Sequence, residues 1–578
     1  MNRPSGCPET GNVATADGSR APSAAPSGAR AGTDSHWRHP PVFPPRRRIY
    51  ASAALALTGL IALSACSAGD SGESGDDGTK KPLVISLDSS VDILDPQAWR
   101  TPASMVTTGS LVEQLIEQTY TASGDLVQIG TADGFDPALA ESFEYSEDGK
   151  VLTLKLREGL TFQDGSPLTA DDVVWTFQRG LEGPGYIKVL YPMVGITSAD
   201  QFVALDDLTV QITTPFATPL LPKMLAMQPF GILSHESGEA NATDDDPWAG
   251  DWFRENDNSS GPYTVSSYDP TTSITLTPNE SYYDQDSIMN SGVTIQFVSD
   301  PAQRALLLQS GEIDLAQGLP LDQVAELEDV DGLTVVSEDS NRLEYLGFNT
   351  SIAPFDDPTV RQAIAKALPY DTFVSDVLYG YAKPSTGIVP SGMVTHSDEA
   401  GEFTQNLDEA RALLEEAGVG EFSTTLSFKQ SSAVETRAAV FIQSALAELG
   451  ITVEVTPLPD AEFTQRTNAR ELPMYLNNFL GWGADPFYQM KSLVGSGAGT
   501  NFTTYANEDL DALIQSGFET SDEAEREAIS AEAQSVIYDE MPMVPIWNPD
   551  WTFVVRDGVS GLTKDNTEQL RLQYLTKE

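Results

Sequence analysis

Cysteine is almost absent from this chain, with only Cys7 and Cys66 in 578 residues. Both fall in or at the end of an N-terminal leader. The remainder therefore has no disulfide, no thiol nucleophile and no cysteine metal site. Histidine is nearly as scarce: beyond the leader only His235 and His396 occur, far apart in sequence. No H-E-x-x-H, P-loop or Gly-x-Ser-x-Gly motif accompanies them. No catalytic residue, metal ligand or cofactor is assigned, and the chain is not expected to be an enzyme. Asp244-Asp245-Asp246 reads as a solvated acidic loop, because it lacks the spaced oxygen ligands of a calcium loop. Basic side chains are outnumbered, 33 against 85 acidic, for a net charge of −52. That balance argues against nucleic acid and against electrostatic binding to anionic lipid. With so many carboxylates, a surface hydrolase stays open as an alternative, although no motif singles out a pair.

Long apolar runs are missing too. The run Ala51–Ala65 is too short to span a bilayer comfortably, but it follows Arg46-Arg47-Arg48 and ends in small residues, the composition of an export signal. Leu63-Ser64-Ala65-Cys66 resembles a bacterial lipobox, which implies cleavage before Cys66 and a lipid on its sulfur. Residues 1–65 are read as an unstructured leader plus lipoprotein signal, and 66–80 as a flexible polar tether. The expected address is the outer face of a bacterial cell membrane. The triple arginine weakly resembles a twin-arginine signal, and the export route is left open.

What is present is ample core material: 40% hydrophobic residues, with 8 Trp, 18 Tyr and 23 Phe, in a chain too long for one core. Leu83–Leu87 reads as a strand, and Ser104–Tyr120 carries apolar residues at helical spacing. Residues 139–156 read as a hairpin turning at Glu147-Asp148-Gly149, and Thr169 as the N-cap of a helix bearing Val173, Val174 and Phe177. Asp357 caps another helix, with Pro358 at its first position and Val360, Ile364 and Leu368 as its buried stripe. Residues 406–456 read as helix, strand, helix, strand, which demands a covered α/β sheet. Helices are expected at 507–516 and 522–540, followed by an extended segment Met541–Trp547.

Leu139-Ala140-Glu141-Ser142, Asp148-Gly149-Lys150, Leu156-Arg157-Glu158-Gly159, Asp164-Gly165-Ser166-Pro167 and Ala170-Asp171-Asp172-Val173 follow one another in order. This composite run closely resembles the signature of extracytoplasmic solute-binding proteins of family 5, the receptors of peptide-type ABC importers. Ser260-Gly261-Pro262-Tyr263, Asn279–Tyr283, Ser310–Asp314 and Phe355–Ile364 continue the resemblance, which spans about residues 83–560. It implies an α/β, two-lobed periplasmic-binding-protein-like fold (type II, cluster C) with an extra inserted domain. Lobe I would comprise 81–123, 261–345 and 545–578, the inserted domain 124–260, and lobe III 346–544. The implied function is capture of a peptide-like solute and delivery to a membrane permease and its ATPase, by a monomer anchored through Cys66. A non-peptide solute (an opine, a metal chelate or an oligosaccharide) is the alternative.

The candidate site is Gly481-Trp482-Gly483-Ala484-Asp485-Pro486. Locally it supports two readings: a loop with Asp485 as a helix N-cap, or an indole wall beside a carboxylate for a ligand amine. The resemblance favours the second and assigns Gly481, Trp482, Gly483, Ala484 and Asp485 to ligand binding. Ser89 and Ser90, at the end of the first strand, and Trp547 are further expected wall residues. After the motif the chain reads Asp485-Pro486-Phe487-Tyr488-Gln489, where family members commonly have Tyr and a second Asp-Pro. That departure leaves ligand identity open.

Overall fold

The computed structural model describes residues 80–98, 101–397, 400, 401 and 403–578. The leader, Cys66 and almost all of the tether lie outside the described residues. Two mixed sheets dominate the fold. The first has seven strands in the order Leu333–Glu338, Trp551–Arg556, Leu315–Gln317, Leu83–Leu87, Val293–Phe297, Ser273–Pro278 and Tyr263–Asp269. Leu83–Leu87 pairs in parallel on both sides, so both of its faces are covered and a continuous apolar run is required. The second sheet has six strands, in the order Ala382–Pro384, Met543–Pro549, Arg342–Phe348, Met474–Leu480, Phe422–Lys429 and Ile451–Leu458. Its parallel pair Phe422–Lys429 and Ile451–Leu458 is joined by the helix Ala433–Ala447, as the apolar spacing predicts.

The antiparallel sheet Ala140–Tyr145, Val151–Leu156, Thr209–Thr213 and Phe202–Asp206 forms a separate layer, covered by the helix Ala170–Glu182. Here the local chemistry matches the sequence reading. Gly149 turns the hairpin at φ +69°, a left-handed value that favours glycine. Thr169 and Asp172 form a reciprocal capping box, with the Thr169 amide donating to Asp172 Oδ2 at 2.8 Å. Asp357 caps Pro358–Ala367 by accepting from the Thr359 amide at 2.8 Å.

Two expectations differ. Ser104–Tyr120 is not one helix: Pro102–Leu111 ends at Val112, whose backbone is extended, and Ile116–Ser123 pairs as a strand with Val127–Pro137. Its apolar side chains serve two elements in succession, which mimics a single helical stripe. The helices near the end run Glu508–Glu519 and Glu523–Glu540. Arg342–Phe348 pairs with Met474–Leu480 from Arg342↔Leu480 to Phe348↔Met474, and with Met543–Pro549 through a ladder that shifts register between Glu344 and Tyr345. Both strands lie within the second sheet, so the chain crosses between sheets just before Arg342 and just after Pro549.

The segment after the first strand is tied to the four-stranded layer by a buried ion pair. Arg179 donates to Asp95 at 2.5 and 3.2 Å, to Gln97 Oε1 at 2.7 Å and to the Trp248 carbonyl at 2.9 Å. Both partners are 2% exposed. Arg179→Met strands a buried carboxylate and is expected to destabilise the fold by about 3–5 kcal/mol. Chemical or thermal unfolding measures this, and an unchanged transition would remove the pair from the set that holds the layers together.

Candidate ligand-binding site

Ligands of α/β sheets sit beyond the carboxyl ends of the parallel strands. Met474–Leu480 runs parallel to Phe422–Lys429, and its carboxyl end opens directly into Gly481–Pro486. The turn is tight. A Cβ on Gly481 would come within 2.3 Å of Met393 Cε and 2.4 Å of Gln489 Oε1, so a larger residue there would have to push both side-chain ends aside. Gly483 and Ala484 both adopt left-handed backbone, at φ +74° and +46°. For Ala484 that conformation is strained, of order 1 kcal/mol or more.

Asp485 is fully buried and caps the helix Pro486–Val494. Its Oδ1 accepts from the amides of Phe487 at 3.0 Å and Tyr488 at 3.2 Å. Its Oδ2 accepts from Arg526 Nη2 at 2.8 Å, and the Lys223 ammonium lies 3.9 Å away. Burial alone would raise this carboxyl's pKa. The charges of Arg526 and Lys223, the Arg526 hydrogen bond and the Tyr488 amide outweigh burial and hold it below the ordinary aspartate range. The N-cap reading holds for one oxygen, and two cations of this chain, Arg526 and Lys223, meet the other.

The cations are held unequally. Arg526 also donates to the Gly517 carbonyl at 3.0 Å and lies 4.9 Å from the Phe487 ring centroid. Lys223 Nζ is 3.1 Å from Asp133 Oδ1 but makes no directed hydrogen bond among the described residues, although its side chain is fully buried. Lys223 and Asp133 come from the segment containing the four-stranded layer. Asp485 and Arg526 come from the segment of the second sheet. The same junction sets Trp482 against Tyr186, with ring centroids 5.4 Å apart. Beside it opens a cavity of about 560 Å³, with Phe135, Phe143 and Pro222 on one wall and Val394, Thr395 and Arg526 on the other.

The structure thus brings Gly481, Trp482, Gly483, Ala484 and Asp485 into one turn, while Ser89 and Ser90 follow the first strand and Trp547 lies within Met543–Pro549. Ser89 and Ser90 are half-buried just beyond Leu83–Leu87; Ser89 Oγ has no hydrogen-bond partner among the described residues, and the Ser90 carbonyl accepts from Thr101. Trp547 is 1% exposed and packs on Phe373 at 5.4 Å. The departing residue Phe487 points into the core, against Phe518 and the bare face of Gly517. His235 stacks on Trp175, and His396 Nδ1 lies 2.9 Å from the Val389 carbonyl. Sequence reading missed Lys223, Arg526 and Asp133. Lys223 left one trace, as a lone cation inside the apolar run Leu220-Leu221-Pro222-Lys223-Met224-Leu225. Arg526, among glutamates, resembles a solvated helix face.

Asp485→Asn leaves Arg526 and Lys223 without their carboxylate and is expected to cost about 3–5 kcal/mol near neutral pH. A depressed carboxyl contributes stability that is present above its unfolded pKa of about 3.9 and is lost as pH falls through its folded value. The stability gap between wild type and Asp485→Asn should therefore narrow as pH drops below about 4. Thermal melts across pH check this; a gap that stays constant into strong acid would contradict the ion-pair assignment.

Comparison with known proteins bears on the same regions. Residues 134–501 match the sequence model of bacterial extracellular solute-binding proteins, family 5 (middle). The chain is 28% identical to the probable D,D-dipeptide-binding periplasmic protein DdpA of Escherichia coli K12, over 83% of this chain and 91% of that protein. It is 30% identical to di/tripeptide-binding protein 2 of Pseudomonas aeruginosa UCBPP-PA14, over 74% of this chain and 83% of that protein. Among solved structures, Helicobacter pylori DppA in complex with peptide STSA superposes with TM-score 0.75 at 24% identity, covering 87% of this chain and 99% of that one. The binding protein AgaA of A. tumefaciens R10, in complex with agropinic acid, superposes with TM-score 0.71 at 23% identity, covering 86% and 99%. The two-lobed fold is common to these structures.

Proposed function

Because this chain belongs to the bacterial extracellular solute-binding proteins of family 5, we propose that it captures a peptide-like solute with a free amino group between its lobes and delivers it to an ABC permease. The observation that carries this reading is the loosely held ammonium of Lys223 beside the fully buried Asp485 carboxylate. A ligand amine takes the place of Lys223 at Oδ2, and Lys223 moves wholly onto Asp133, already 3.1 Å away. Arg526 stays in place and keeps the carboxylate ionised. Lys223 and Asp485 belong to different segments, so exchanging one cation for another alters a contact across the cleft. A ligand shifts closure only through contacts that differ between the open and closed forms, and this is such a contact. The adjoining cavity of about 560 Å³ is of a size that suits a small solute.

Two of the relatives are named for binding a D,D-dipeptide and di- and tripeptides, which supports the peptide class. Cys66 carries the lipid, and residues 67–80 let the monomeric receptor reach its permease and ATPase from the outer face of the membrane. An opine-like solute is the second reading, suggested by the agropinic acid named in the AgaA complex.

Titration calorimetry with a panel of di- and tripeptides tests the amine anchor. A charge-assisted hydrogen bond contributes about 1.5–3 kcal/mol, so N-acetylated peptides should bind roughly 10–150-fold more weakly than their free-amine parents. Lys223→Met removes the competing ammonium and should tighten free-amine binding while leaving the acetylated peptides unchanged. Equal affinity for acetylated and free peptides would remove Asp485 from the binding site.

A further inference from the structure

One strand away from the Asp485 turn, the same edge of the second sheet buries a second acidic feature. Glu344 lies two residues inside the strand that crosses from the first sheet, opposite Asn478 on one neighbour and Trp547 on the other. It is 6% exposed, and its Oε1 has no hydrogen-bond partner among the described residues. Glu435, in the first turn of the helix Ala433–Ala447, is 3% exposed and accepts from the Lys429 amide at 3.0 Å.

Two cations stand nearby without closing on this pair. Arg342 donates to Asn478 Oδ1 at 3.2 Å, and the Lys429 ammonium lies 5.9 Å from the Phe463 ring centroid. Among the described residues neither forms an ion pair with Glu344 or Glu435. Two buried carboxylates, near enough for their charges to interact and one with an unsatisfied oxygen, thus lie at the carboxyl edge of the parallel strands, where the Asp485 turn also begins.

We propose that Glu344 and Glu435 form a recess for a cationic side chain of the solute, a guanidinium or ammonium group, with Trp547 as its cross-strand neighbour. The proposal rests on the solute-binding reading and adds a second charge preference to it. Glu344 Oε1 supplies the free acceptor, and the pair supplies the negative charge that a desolvated cation requires.

Protonation accompanies the exchange. Burial first, and then the neighbouring Glu435, push the Glu344 carboxyl well above its usual range, against the pull of Arg342 and Lys429. Burial, with Asp460 adding to it, pushes Glu435 up to about 7, against the Lys429 amide and charge. The empty recess therefore holds protons near neutral pH, and a cationic guest releases them. Binding of such a guest should strengthen as pH rises through about 7.

The test compares Ala-Lys-Ala, Ala-Ala-Lys, Ala-Arg-Ala and Ala-Ala-Arg with norleucine and citrulline counterparts, by calorimetry at pH 6 and pH 8. At least one cationic member should bind roughly tenfold or more tightly than its neutral counterpart, with the larger preference at pH 8. E344Q and E435Q should each lose that preference. Unchanged affinity of both variants for the neutral peptides shows the fold and the amine anchor intact. Neutral peptides binding as well as cationic ones, or a preference surviving in both variants, overturns the recess and leaves the peptide reading standing. Failure of every peptide to bind wild type overturns the peptide reading and the recess with it.

Discussion

A carboxylate shut away from water must be met by opposite charge, and at Asp485 that requirement joins three stretches of the chain. Leaving such an ion uncompensated in the interior would cost several kcal/mol. Its own helix offers two amides, Arg526 a short and well-supported hydrogen bond, and Lys223 a longer and poorly directed contact from another segment. The inequality between the two cations is the important feature. Arg526 is braced by a carbonyl and an aromatic ring and acts as a fixed counterion. Lys223 has a second carboxylate, Asp133, within reach and can leave without stranding its own charge.

The rest of the fold delivers these groups to one place. The first sheet anchors the crossings, and both crossing strands lie within the second sheet, their mutual ladder shifting register between Glu344 and Tyr345. The parallel strands of the second sheet aim the Gly481–Asp485 turn, Glu344 and the start of the helix Ala433–Ala447 at the same edge. The segment carrying the four-stranded layer covers that edge with Lys223 and Tyr186. Selectivity in such a cleft comes from where buried charge is left partly answered. Asp485 and the Glu344–Glu435 pair are the two such places on which the proposed ligand preferences rest.

Elements specified by neighbours in sequence were legible from the sequence. The Asp148-Gly149 turn, the Thr169–Asp172 capping box, the Asp357-Pro358 helix start and the helix between the parallel strands all rest on contacts within a few residues. The composite motif of residues 139–173 extended that reading to the whole two-lobed architecture. Ser104–Tyr120 misled because a buried helix and the strand after it present apolar residues at spacings that one longer helix would also show. In the site, glycine spacing and the aspartate flagged the turn, but its counterions were invisible because they lie hundreds or tens of residues away. Glu344 was hidden for a related reason. A charged residue at the start of an apolar strand reads as an exposed end, and only the fold shows it buried beside its cross-strand neighbour Trp547.

Native mass spectrometry of the protein isolated gently from its own cells tests the central claim most directly. The account predicts a population heavier than the bare chain by the mass of a small amine-bearing solute, which is released when the protein is denatured. A bare chain in every preparation, with no added mass after incubation with a library of free-amine peptides, would contradict it.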